Sequence, residues 1–209
     1  MSNITEKETD TYYVLREPSE GLYKEKGSKF IALAFRVETE DSIKRILDDL
    51  KKKYYDARHL CYAWVLGVDQ SLFRANDDGE PSGSAGKPIL NQIYSFGLTN
   101  TLLVVIRYFG GTKLGMSGLV HAYKTAARDA LSQGVIERKT VNVRYFLQFP
   151  YPLMNDVSRI LKEENLIQLN PKFEADCSFE INCRKNEAKK IFEKFSSVYG
   201  LVIKHIETL

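Results

Sequence analysis

Thr101-Leu-Leu-Val-Val-Ile-Arg-Tyr-Phe-Gly-Gly-Thr-Lys-Leu-Gly-Met-Ser-Gly118 is the stretch that decides the fold. Its first eight residues are almost continuously apolar, the pattern of a central strand, and they run straight into a pair of glycines. A helix is expected from about Ser117 to Gln133. Leu119, Val120, Tyr123, Ala127, Ala130 and Leu131 would form its buried stripe, with Gly134 as the cap. A glycine loop between a central strand and a helix gathers unpaired amides and the positive end of a helix dipole, which together favour an anion. On the strand, Arg107 alternates with Val105 and Leu103 and so faces away from Tyr108.

Outward from this loop the charge is uneven. Between Pro81 and Arg128 there is no Asp or Glu, whereas Lys87, Arg107, Lys113, Lys124 and Arg128 all fall inside. The whole chain carries only +3, with 44% hydrophobic and 27% charged residues, as in an ordinary globular protein. The sum does not demand a nucleic acid, but the local excess of bases suits a polyanion. Three widely spaced cysteines without a Cys-x-x-Cys pair argue against a disulfide framework or structural zinc and fit a reducing compartment. Met1 to Asp10 is polar and acidic, so no signal peptide is expected, and the longest aliphatic run, Leu102 to Ile106, is too short for a bilayer. A cytoplasmic protein without a membrane partner is expected.

Upstream, Lys29–Val37 reads as a strand. Thr39 then offers an N-cap to a helix carrying Ile43, Ile46, Leu47, Leu50 and Tyr54 on one face. His59–Leu66 is a second strand, with Leu60, Tyr62, Trp64 and Leu66 opposite His59, Cys61, Ala63 and Val65. A short helix follows Pro88 through Ile89, Leu90, Ile93 and Phe96. Past Thr140 come a strand (Val141–Phe149), a helix around Val157, strands at Ile167–Ala175 and Cys177–Arg184, a helix around Phe192 and a strand at Leu201–Glu207. That order, βαββαβ, is the split, ferredoxin-like arrangement. The chain is therefore expected to be α+β, with domains at residues 1–137 and 138–209.

The glycine loop fails the phosphate-loop patterns: Met116 stands where a Walker lysine belongs, and Gly110-Gly-Thr-Lys-Leu-Gly115 does not fit Gly-x-Gly-x-x-Gly. Asp77, Asp78 and Glu80 could offer oxygens to a divalent metal, but they lack EF-hand spacing and lie among turn formers. Their other role would be to order the basic loop by intramolecular pairing. His59 and Cys61 share a strand face, yet the sequence supplies no orienting acid, so packing is preferred over a nucleophile. Tyr108 and Phe109 adjoin the loop and could stack on unpaired bases. The anion-binding set is then Arg107, Tyr108, Gly110, Gly111, Lys113, Lys124, Lys87 and His59, with no catalytic residue, metal or cofactor assigned.

Asp77-Asp-Gly-Glu-Pro-Ser-Gly-Ser-Ala-Gly86 and Arg107-Tyr-Phe-Gly-Gly-Thr-Lys-Leu-Gly115 resemble the signature of the IMPACT family in its bacterial, YigZ-like form. Lys26-Gly-Ser-Lys-Phe-Ile-Ala32 and His59-x-Cys-x-Ala63 fit the same pattern. The resemblance implies a first domain built as a two-layer α/β sandwich like the second domain of ribosomal protein S-five and domain IV of elongation factor G. It implies a second domain like domain V of that factor. RNA or the ribosome would be the partner, or a protein in translation control, as in eukaryotic relatives. The alternatives are a peptidase- or phosphoesterase-like hydrolase using Asp77-Asp78-Gly79-Glu80, and a protein-interaction module. Two positions depart from the pattern: Ser117 replaces a common glycine and is expected to serve as an N-cap, and His121 replaces a common arginine.

Overall fold

The computed structural model describes residues 10–174 and 176–208. The chain forms β1 (Thr11–Leu15), β2 (Ser19–Glu25), β3 (Ser28–Arg36), α1 (Glu40–Lys53), β4 (His59–Leu66), β5 (Leu72–Asn76), α2 (Gly86–Ser95), β6 (Thr101–Tyr108), α3 (Gly115–Gln133) and β7 (Ile136–Thr140). A second series follows: β8 (Asn142–Pro150), α4 (Met154–Glu163), β9 (Gln168–Phe173), β10 (Asp176–Arg184), α5 (Lys185–Ser196) and β11 (Val202–Thr208). Two compact units result, Tyr12–Lys139 and the residues from Thr140 onward joined by Asp10 and Thr11. The polar opening, residues 1–9, lies outside the described residues, as does Ala175 at the end of an expected strand.

In the first unit β6 is the middle strand of an antiparallel sheet ordered β2-β3-β6-β4-β5. Alternation along β6 feeds two separate cores. Leu103 and Val105 pack with Ile89 and Ile93 of α2 and with Tyr123, Ala126 and Ala127 of α3. Leu102, Val104 and Ile106 pack with Ile43, Leu47 and Leu50 of α1, and with Leu60, Trp64 and Leu66 of β4. The α+β class holds, but the expected two-layer sandwich has a third layer: the apolar stripe of α1 covers the face that α2 and α3 leave bare.

Local chemistry sets the helix ends. Thr39 Oγ1 accepts the Ser42 amide at 3.2 Å while the Thr39 amide donates to Ser42 Oγ, a reciprocal cap worth about 1 kcal/mol. The start of α3 differs from expectation. The helix begins at Gly115, so Ser117 lies in its first turn instead of capping it, and Leu114 at the cap position makes no side-chain hydrogen bond. Gly134 does close the helix, in an extended conformation.

The second unit has the sheet order β11-β8-β10-β9, all antiparallel, which is the expected split arrangement. Val143, Tyr145, Leu147 and Phe149 of β8 alternate into one core with Phe179 and Ile181 of β10, Val157 and Ile160 of α4, and Ile191 and Phe195 of α5. The Asp10 carboxylate accepts Arg184 Nε at 2.8 Å and Nη2 at 2.9 Å, and its carbonyl accepts the Val141 amide. Those bonds tie the residue before β1 to this unit.

Candidate anion-binding site

The loop from Asp77 to Ala85 is a clamp. Asp77 Oδ1 accepts the amides of Ala85 at 3.0 Å and Gly86 at 2.8 Å, and Oδ2 accepts that of Gly83 at 2.9 Å. Burial raises the Asp77 pKa, but these three bonds outweigh it and hold the carboxyl below its usual range. Asp77 thereby caps α2, whose own cap residue, Ala85, has no side chain for the task. Asp78 Oδ2 accepts the Leu60 amide at 2.7 Å, and the Asp78 carbonyl lies 2.7 Å from His59 Nδ1. Among the described residues, no three His, Cys, Asp or Glu converge as metal ligands. Both Asp77 oxygens and Asp78 Oδ2, among those considered for a metal or a hydrolase, are engaged by the protein's own amides.

Glu80 turns inward and is 8% exposed. Its Oε1 accepts Arg107 Nη1 at 2.5 Å and the Tyr123 hydroxyl at 2.7 Å, with His59 Nε2 3.9 Å away. Cys61 Sγ extends the network, 3.4 Å from the Tyr123 oxygen and 3.0 Å from the Asp77 carbonyl. Burial pushes the Cys61 thiol up to about 12, which keeps it protonated at neutral pH. Burial likewise drives the Tyr123 phenol far above its ordinary value.

The part expected of Arg107 changes here. Instead of projecting to solvent, it is 6% exposed, paired with Glu80, and flanked by the rings of Phe30 at 5.5 Å and Phe109 at 5.6 Å. A strand residue on the α2/α3 face of the central strand is covered by those helices, and a buried guanidinium requires a carboxylate. Yet its Nε is the one buried side-chain donor without a hydrogen-bond partner among the described residues.

Arg107 and Glu80 line a cavity of about 430 Å³, together with Arg58, Lys113, Phe109 and Met116. The first residues of α3 form one wall, so the helix that opens without a side-chain cap opens onto the cavity. Arg58 and Lys113 are exposed, and neither pairs with a carboxylate among the described residues. The arrangement therefore supplies positive charge, free amides and apolar wall to one hollow.

The remaining expected residues divide. Tyr108 lies on the opposite face of the sheet, its hydroxyl donating to Asp56 at 2.9 Å. Gly110 is bare for another reason than ligand approach: a Cβ there would stand 1.9 Å from the Gly27 carbonyl carbon, where the β2–β3 turn crosses it. Gly111 has φ +88° and open space around it, as a turn residue. His59 joins the Glu80 network, whereas Lys87 and Lys124 are exposed on α2 and α3 and do not line the cavity. Arg58 was not anticipated. It precedes β4, where His59 pairs with Arg107, and its amide donates to the Arg107 carbonyl.

The Impact N-terminal domain family matches residues 26–131. YvyE of Bacillus subtilis, an IMPACT family member, is 33% identical over 88% of this chain and 84% of its own. The crystal structure of a hypothetical protein is 30% identical, covers 95% of this chain and 98% of that one, and superposes with a TM-score of 0.69. The two-domain translational regulator Yih1 is 29% identical over 58% of this chain and 47% of its own, with a TM-score of 0.36. With the signature loops accounted for by geometry and the match running through both of them, the chain belongs to the IMPACT family.

Proposed function

We propose that this protein is a non-catalytic RNA-binding protein acting in translation, which holds phosphates at the mouth between the Phe109–Leu114 loop and the start of α3. One convergence carries this reading. Exposed Lys113 and Arg58 share a cavity with an uncapped helix start and with Arg107, whose buried Nε lacks a partner. Lys87 and Lys124 add positive field from the same acid-free stretch and would steer a polyanion without reading its bases. Translation is the setting that the family resemblance implies, with ribosomal RNA as the natural polyanion. Three free, buried cysteines accord with the reducing cytoplasm.

Binding isotherms for a short single-stranded RNA across a salt series test the reading. Arg58→Ala combined with Lys113→Ala should flatten the log–log slope by about 1.4, or about 0.7 for each phosphate no longer neutralised. An unchanged slope in a folded double variant would refute it.

A further inference from the structure

The cavity itself is selective in a way that a generally basic surface is not. A volume of about 430 Å³ suits one compact ligand, whereas a run of nucleotides needs an extended groove. Its charged lining is Arg58, Arg107 and Lys113 against Glu80, three cations to one anion. The excess of two matches a phosphomonoester, which carries about −1.5 to −2 at pH 7, better than the single charge of an internal phosphodiester.

The donors have the right character as well. Glu80 occupies Nη1 of Arg107, but the guanidinium bears five N–H groups, and the buried Nε remains unpartnered. Phosphate oxygens only accept, so they can satisfy that donor and the first-turn amides of α3 together. The other walls are apolar: Phe109 and Met116 are about half exposed, beside Leu114 and Leu119. Such a surface receives a flat base or another apolar body.

We infer that the cavity binds a phosphomonoester carried on a compact, partly apolar body, as at the terminal nucleotide of an RNA or in a free nucleoside monophosphate. In its RNA form the inference rests on the RNA reading above. The phosphate lies at the start of α3 beside Arg107 and Lys113, and the base lies against Phe109 and Met116.

The test compares internally labelled RNA decamers ending in a 5′-phosphate, a 3′-phosphate or two hydroxyls, with adenosine monophosphate as competitor. One phosphorylated end should bind about tenfold more tightly than the hydroxyl form, and the advantage should shrink below pH 6 as the phosphate dianion takes up a proton and becomes a monoanion. Met116→Glu places a carboxylate at an exposed first-turn site that the helix dipole favours; it should leave the fold intact and abolish the advantage. Equal affinity for phosphorylated and hydroxyl ends overturns this inference and leaves the RNA reading standing. Binding of adenosine monophosphate without any RNA binding does the reverse and assigns the cavity to the free nucleotide. Binding of neither removes both.

Discussion

The Asp77–Gly86 loop and the Phe109–Gly115 loop are both polar and glycine-rich, yet the protein uses their charges in opposite ways. In the first, Asp77, Asp78 and Glu80 are each met by donors from the protein itself: amides of Gly83, Ala85, Gly86 and Leu60, and the side chains of Arg107 and Tyr123. In the second, Lys113 is exposed and the following helix has no side-chain cap. Polar residues in a signature thus separate into those that close the fold and those that remain open to a ligand. The criterion is whether each donor or acceptor already has a partner.

Substitutions on the two sides should behave differently. Glu80→Ala leaves the buried Arg107 guanidinium unpaired and should cost about 3–5 kcal/mol in urea unfolding. A loss below about 1 kcal/mol would show that the clamp is dispensable and erase the contrast. Asp77→Ala strands three amides and the start of α2, for about 2 kcal/mol. This second effect carries a pH signature. The Asp77 carboxyl lies below its unfolded value of about 3.9, so its contribution is complete at neutral pH. It is lost as pH falls through about 3.9 towards the lower folded value, and the stability gap between wild type and Asp77→Ala should narrow across that window.

On the open side, Arg58→Ala with Lys113→Ala should change stability by no more than about 0.5 kcal/mol while weakening RNA binding. The smallest effect belongs to Tyr108→Phe. Its hydroxyl meets Asp56 on the far face of the sheet, so RNA affinity should be unchanged. A marked loss would mean that the ligand uses the wrong face.

Much of this architecture is written in local patterns. The apolar run of β6, the Thr39 cap of α1 and the alternation of β4 each report a nearest-neighbour environment, and each element forms close to its expected bounds. The short edge strands were not legible. β5 (Leu-Phe-Arg-Ala-Asn) is mostly exposed and shows no alternation, and β2 carries Gly21 because α3 crosses so closely that a Cβ would stand 2.2 Å from the Ala130 nitrogen. Of the site, the face on which Arg107 lies followed from period two. Its neutralisation did not, because Glu80 reaches it from 27 residues earlier, held there by the Tyr123 hydroxyl, in a way that only the closed fold fixes. Pairing between the acids and the basic stretch does occur, but through Glu80, since Asp78 holds β4 instead. Arg58 left no signal because nothing in the sequence shows that β4 starts beside the end of β6.

Phosphate capture at the start of α3 can be watched at the donors themselves. Two-dimensional NMR would follow the Arg107 Nε–H and the backbone amides of Gly115 and Met116 as adenosine monophosphate is added to the intact protein. All three should shift saturably with a common dissociation constant, and Lys113→Ala should weaken it. Shifts confined to the exposed surface around Lys87 and Lys124, with the Arg107 Nε–H unmoved at saturation, would place the anion elsewhere and refute the site.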